Sequence, residues 1–431
     1  VRPLLRRLRS TLDTSIWLIP SACLLAAVGL SFLAERLDAS LAHDFTAWYL
    51  FRGGPEGARE VLSTIASSMM TFTGVVFSVT VLVLQLASNQ FSPRVLRTFL
   101  RDRGSQAALG IFVGTFAYAL LGLRSVRGAS DGVEAHVPAF TVWLAVVLAG
   151  ACVCTFIYFL HHVAQSIRAV NVLSRIGDET RERLDTLYPE PVGEEPEAPR
   201  PAVPQGLPSA IIPQPRRSGV VVAVDEEALW RCACRAGVTL ALVPRVGDFV
   251  PQGGALFEVW GDAGRLDARA AAAAIAVDDE RDLRQDVAFG LRQLVDVAER
   301  ALSPGVNDPT TAVQALDQLH DLLRRLAHRR FPSPARVDAE GRVRLLLPRP
   351  SWEGCVRLAL DEIRQAGEGA TQVTQRLRFL LEDLLSVAPP ARRPELLRQR
   401  ALLEASVRHG FADARDQEVA FSPDPQGHGS H

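Results

Sequence analysis

The chain has 431 residues, with 47 basic and 48 acidic side chains, a formal net charge of −1, 48% hydrophobic residues and 22% charged. An ordinary soluble domain carries about 25% charged residues, so part of this chain is too apolar for a surface facing water. Every basic residue is arginine; the absence of lysine excludes a Walker-type phosphate loop, a Schiff-base or pyridoxal phosphate site and a lipoyl or biotinyl attachment, and the near-zero charge gives no general attraction to nucleic acid.

In chain order, a basic segment (1–15) precedes four apolar stretches at Ile16–Ala34, Val61–Ala87, Ala107–Leu123 and Ala139–Leu160. Each approaches or exceeds the roughly 17–25 residues that cross a ~30 Å hydrocarbon core, and none contains a charged side chain. A four-span α-helical membrane bundle over 16–160 follows. Arg2, Arg6, Arg7, Arg9, Arg94, Arg97, Arg101, Arg103, Arg168 and Arg175 fall on one side, and Arg36, Arg52, Arg59, Arg124 and Arg127 on the other. The richer side is the cytoplasmic one, which places both termini there, with Trp48, Tyr49 and Phe51 as anchors at the outer interface.

Span two carries Ser63, Ser67, Thr71, Gly74, Ser78, Gln85 and Ser88, spaced so that they form one stripe on one helix face. Such a stripe either packs closely against a neighbouring helix or faces water along a path. Pro93 ends helical geometry beyond it, and Arg94, Arg97, Arg101 and Arg103 form a basic collar. The collar signals topology, binds lipid headgroups, or rings a pore mouth. Cys23, Cys152, Cys154, Cys232, Cys234 and Cys355 show no metal or disulfide spacing and read as small buried hydrophobes. Gly128-Ala129-Ser130-Asp131-Gly132 matches a nucleophile-elbow pattern but sits between two spans, without the strand and helix that pattern needs.

Residues 161–188 read as an amphipathic juxtamembrane helix with Val163, Ile167, Val170, Leu173, Ile176 and Leu184 on its apolar face; His161 and His162, being adjacent, point to different faces. Nine prolines among residues 189–215 mark an extended linker, taken as 189–217. Strands at 218–225 and 239–243, then a turn–strand–turn–strand run at 246–259 with the V-G-D-x-V-x-x-G spacing from Val246, resemble half of a biotinyl/lipoyl-like β-sandwich over 218–262; without lysine it can only be structural or a docking piece. The rest, 263–421, reads as mainly helical: an apolar face runs from Leu283 to Leu302, and Asp308 caps a helix that starts at Pro309. The Pro-, Gly- and His-rich tail 422–431 reads as disordered.

Thr71-Phe72-Thr73-Gly74-Val75-Val76-Phe77-Ser78, then Leu84-Gln85-Leu86-Ala87-Ser88-Asn89-Gln90-Phe91-Ser92-Pro93-Arg94, resemble the bacterial predicted-membrane-protein family catalogued as domain of unknown function 2254. The run Asp286-x-x-Phe289-Gly290-x-Arg292-Gln293-Leu294-Val295-Asp296 through Asn307-Asp308-Pro309-Thr310-Thr311 matches its second signature. The resemblance covers nearly the whole chain and implies a multi-span membrane protein with a cytosolic tail; it brings no catalytic residues or cofactor.

Physically, Arg292, Asp296 and Arg300 step by four and can form an ion-pair ladder, with Asn307 and Asp308 capping the next helix. Alternatively Asp286, Arg292, Asp296, Arg300, Asn307 and Asp308 form a corner where an arginine meets a small anion beside a helix N-terminus. The residues thus point first to a homo-oligomeric, channel-like protein in a bacterial cytoplasmic membrane, span two lining its path and the cytosolic part assembling or gating it. The alternative is a membrane-anchored scaffold or sensor that binds a protein or small anion. No constellation supports an enzyme.

Overall fold

The computed structural model describes residues 17–41, 51–90, 102–128, 136–192, 204 and 206–424. The chain divides into two compact units, 1–171 and 172–431.

The first unit holds four helices long and apolar enough to cross a membrane: α1 (Leu18–Leu41), α2 (Pro55–Gln90), α3 (Arg103–Ser125) and α4 (Ala139–Ser166). Helix α3 is the hub and packs against the other three. Half of its apolar stretch is buried, against 11% of that of α2. The inner seam of α1 is built from Pro20, Cys23, Ala27, Ser31, Ala34 and Asp38, spaced by three or four residues. Opposite it, Gly110 and Gly114 of α3 form a G-x-x-x-G pair, and a Cβ at Gly110 would lie 2.8 Å from the Cys23 sulfur and 3.2 Å from the Pro20 Cα. Lipid offers no hydrophobic drive between spans, so small residues that bring two backbones into van der Waals range hold this pair together.

Two sequence expectations change here. Helix α1 continues past Ala34 through Glu35, Arg36 and Asp38, so Arg36 is part of the helix and the helix carries two acidic residues beyond its apolar stretch. Helix α2 starts at Pro55 and therefore includes Arg59. Its 36 residues extend about 54 Å at 1.5 Å per residue, well beyond the hydrocarbon thickness, so it must tilt or project. Trp48, Tyr49 and the serine-containing loop at 129–135 lie outside the described residues, as does the tail from 425.

The segment read as one helix leaving the membrane is two: α4 ends at Ser166, and α5 (Ala169–Leu187) begins after Ile167 and Arg168. From Val172 onward α5 belongs to the second unit. Val172, Leu173, Ile176, Gly177, Thr180 and Leu184 form its buried face, while Val170 is exposed.

The second unit combines two small sheets with a helical layer. Its elements are β1 (Ala210–Pro213), β2 (Gly219–Val224), α6 (Glu226–Ala236), β3 (Thr239–Leu242), β4 (Phe249–Val250), β5 (Ala255–Trp260), α7 (Ala268–Ala273), β6 (Ile275–Asp278), α8 (Val287–Leu302), α9 (Pro309–Ala327), β7 (Ala335–Val337), β8 (Val343–Leu346), α10 (Trp352–Ala366), α11 (Thr371–Val387), α12 (Arg393–Gly410) and α13 (Ala414–Phe421). One sheet has the order β1-β5-β3-β8-β7 and the other β4-β2-β6. The pairing of β3 with β8 is parallel; the others are antiparallel.

The β-rich segment thus holds more than strands. Helix α6 interrupts it between β2 and β3, capped by Asp225, whose side chain accepts the Ala228 N–H, and closed by Gly237 at φ 69°. Only glycine takes that left-handed turn without strain. The proline-rich stretch contributes β1 at a sheet edge, with Pro213 at its end, where a missing N–H costs no ladder bond. A core of Val221, Leu229, Leu240, Leu256, Phe257, Val259 and Leu345 joins the sheets to α6 and α7. The helical layer is sealed by Leu316, Leu319, Leu323, Leu360, Leu377 and Leu384, all essentially inaccessible.

Candidate functional site

The polar stripe on α2 points out of the bundle. Leu62, Ile65, Ala66, Met69, Val76 and Val83 are buried against the neighbouring helices, whereas Ser63, Ser67, Thr71, Gly74, Ser78 and Gln85 are exposed. A Cβ built on Gly74 meets nothing within 4 Å. The side chain of Ser88 lies outside the described residues. Of the two readings of the stripe, close packing within this bundle is not what the structure adopts; the packing face is the apolar one.

The hydroxyls are partly self-sufficient. Ser63 donates to the Glu60 carbonyl at 3.0 Å, Ser67 to the Ser63 carbonyl, and Thr71 to the Ser67 carbonyl at 3.2 Å. A hydroxyl can return its proton to its own helix in this way, but the Gln85 amide, with two donors and an acceptor, cannot be satisfied by one back-bond. The other outward faces differ in kind: α1 presents Leu24, Leu25, Phe32 and Leu33, and α4 presents Val146, Val147, Val153 and Ile157. Those suit lipid tails. The face of α2 interleaves polar residues with Met70, Phe77 and Leu82.

Carboxylates fasten both ends of the bundle, and the sequence reading missed them. Pro138 precedes α4 and has no side chain that can accept from the helix N-terminus. Asp38 of α1 does so instead, accepting from Phe140 N at 2.8 Å and Thr141 N at 3.0 Å. Tyr118 of α3 donates to the Thr141 carbonyl. At the opposite end Asp102 caps α3 through Ser105 N and meets His162 Nε2 at 2.8 Å. The signals were present: an acidic residue one helical repeat beyond the small seam of α1, and an Asp directly before a span. Of the basic collar, Arg103 is the exposed first residue of α3, and Arg94, Arg97 and Arg101 lie outside the described residues.

In the second unit, Asp286 is buried, accepts the Phe289 N–H as cap of α8, and pairs with Arg281 at 2.7 Å. Burial nonetheless leaves its pKa above the ordinary carboxylate range. Arg292 pairs with Asp296 at 2.6 Å and with Glu299 at 3.0 Å, and reaches Glu362 on α10. The guanidinium is therefore ringed by three carboxylates. Burial, then the Glu362 carboxylate beside it, push Glu299 up. Arg300 is exposed near the end of α8. Asp308 caps α9, accepting Thr311 N at 3.1 Å and Thr311 Oγ1 at 2.6 Å. Asn307 does not cap; it takes the left-handed turn at φ 48°, a conformation that asparagine tolerates better than most residues. The structure thus brings Arg292 and Asp296 together, while Asp286, Asn307 and Asp308 serve the two helix starts.

Gly290 of the same signature has a packing role. A Cβ there would lie 2.1 Å from Thr180 Oγ1, so α5 crosses α8 where only glycine fits. A Cβ at Gly177 would lie 2.3 Å from Gln318 Oε1 of α9, the movable end of a long side chain, and Arg181 ties α5 to Asp321 at 2.8 Å.

Comparison with known proteins matches residues 13–383 to the family described as Predicted membrane protein (DUF2254). An uncharacterised protein of Mycobacterium bovis and one of Mycobacterium tuberculosis are each 34% identical over 434 residues, covering 97% of this chain and 81% of theirs. No solved structure matches the chain.

Proposed function

The chain belongs to the DUF2254 family of predicted membrane proteins, and on that premise we propose that it forms a homo-oligomeric, channel-like assembly in the bacterial cytoplasmic membrane with α2 turned toward the path. One observation carries the reading: the polar stripe of α2 is on the open side of the bundle, while the open sides of α1 and α4 are mainly apolar, with exposed polar groups such as Arg36, Ser40 and His161 toward the helix ends. An amide and hydroxyl stripe facing hydrocarbon is costly; a second copy or water removes that cost. A single four-helix unit with an outward polar face encloses no path, and cyclic symmetry is the ordinary way to close one. The arginine distribution supports cytoplasmic termini, and with them a cytosolic second unit that assembles or gates the membrane part.

The scaffold or anion-sensor reading has less behind it, because the arginine best placed to meet an anion, Arg292, already engages Asp296, Glu299 and Glu362.

The test is ion flux in proteoliposomes, comparing the wild type with Ser78→Phe and Gln85→Leu. Flux that is strongly reduced by both, with protein incorporation unchanged, supports the reading. Unaltered flux, or no flux from the wild type above empty vesicles, removes it.

A further inference from the structure

His320 lies on α9 in a chain of charged groups between α9 and α11. Arg376 of α11 places Nη2 3.0 Å from His320 Nδ1, and Asp383 of α11 places Oδ2 2.8 Å from His320 Nε2. Arg376 also pairs with Asp317 of α9 at 2.8 Å, and Arg324 of α9 reaches the same Asp383 oxygen. The Phe379 ring stands edge-on to the imidazole, and Arg181 of α5 is engaged by Asp321 on another face of α9.

These partners determine the tautomer. A guanidinium can only donate, so Nδ1 must be the acceptor and carry no proton; a carboxylate can only accept, so Nε2 carries it. The imidazole is therefore neutral and bridges a cation to an anion. Asp317, Arg376, Asp383 and Arg324 already balance one another, so the cluster has no charge to offer a second proton.

We propose that His320 is an acid-sensitive latch between α9 and α11: a proton taken from water onto Nδ1 displaces the Arg376 hydrogen bond and sets an imidazolium against a guanidinium, loosening the contact. Burial, with Arg376 and Arg324 nearby, holds the imidazole below its ordinary pKa despite the opposing pull of Asp383. In the unfolded chain the group titrates at about 6.5. Between that value and the lower folded one the unfolded state binds more protons, so stability is present above about pH 6.5 and falls as pH drops through the window. The latch does not rest on the channel reading.

The experiment uses the full chain in detergent micelles and follows unfolding by tryptophan fluorescence from pH 8 to pH 5. His320→Gln keeps an acceptor for Arg376 and a donor for Asp383 but cannot be protonated. The expected result is a wild-type Tm that falls toward pH 5 by a few degrees more than that of the variant. Parallel curves overturn the proposal. Should His320→Gln not fold, hydrogen exchange on the wild type decides: amides of α9 and α11 must lose protection on acidification, after correction for intrinsic rates, ahead of those in α6. A uniform change across these helices refutes the latch.

Discussion

Asp38, near the end of α1, accepts two hydrogen bonds from Thr141, one from the backbone at 3.0 Å and one from Oγ1 at 2.6 Å, so a carboxylate from one span caps the N-terminus of another. Asp38→Ala removes the cap and leaves the buried Thr141 N–H and the half-buried Phe140 N–H without this acceptor. The expected cost is about 1–3 kcal/mol in the membrane unit, with Asp38→Asn losing less because its oxygen can still accept. Thermal unfolding of the full chain in detergent measures both; an Asp38→Ala protein as stable as the wild type would show that the cap contributes nothing.

The approach of α1 to α3 depends on Gly110. Leucine there must displace the Cys23 sulfur and the Pro20 backbone, so Gly110→Leu is expected to separate the helices and cost about 3 kcal/mol or more. Gly150, on the open side of α4, has nothing within 4 Å of a built Cβ, and Gly150→Leu should leave stability unchanged. Equal losses in the two variants would contradict the packing argument.

Gly290→Ala places a methyl group against Thr180 and should loosen α5 from α8. Thr180→Ala removes Oγ1 and Cγ2, the nearest atoms apart from a Cβ at 2.9 Å, so the double variant should recover part of the loss. Protease resistance around 172–187 reads both. Strictly additive effects would mean that the two side chains do not meet.

Glu299 and Glu362 crowd the same arginine, and the raised pKa of Glu299 sets the sign of the pH effect. A carboxyl with a raised folded pKa gives stability that is present below its unfolded value, about 4.3, and lost as pH rises through the folded value. At pH 7 the charge on Glu299 therefore works against stability. Glu299→Gln keeps an acceptor for Arg292 and supplies a donor to Glu362, so it should raise the Tm at pH 7 and do so less at pH 4. A variant that is less stable at pH 7 would assign Glu299 a net favourable role.

Much of this architecture is local and so could be read from the chain. Four uncharged apolar runs predict four long helices, because hydropathy and length are sums over neighbours in sequence. Asp308 caps the helix that starts at Pro309, accepting from a residue three positions on; Asp286 is an equally local cap, but the apolar spacing from Leu283 predicts a helix that already contains it, whereas the helix starts at Val287. Helix α6 was legible by the same logic, from Asp225 and Gly237, but the β-branched runs on either side drew the segment toward strands only.

Other features depend on partners that no local pattern names. Asp38 finds its partner 103 residues away and Arg292 finds Glu362 70 residues away. Gly110 and Gly290 read as ordinary helical glycines until another helix crosses them. The α2 stripe marks the division clearly. Helical periodicity places Ser63, Ser67, Thr71, Gly74, Ser78 and Gln85 on one face, since 3.6 residues per turn sets the angles between them. It cannot set the angle of that face to the rest of the molecule. That was decided by where Leu62, Met69 and Val76 pack against neighbouring helices, which turns the polar face outward.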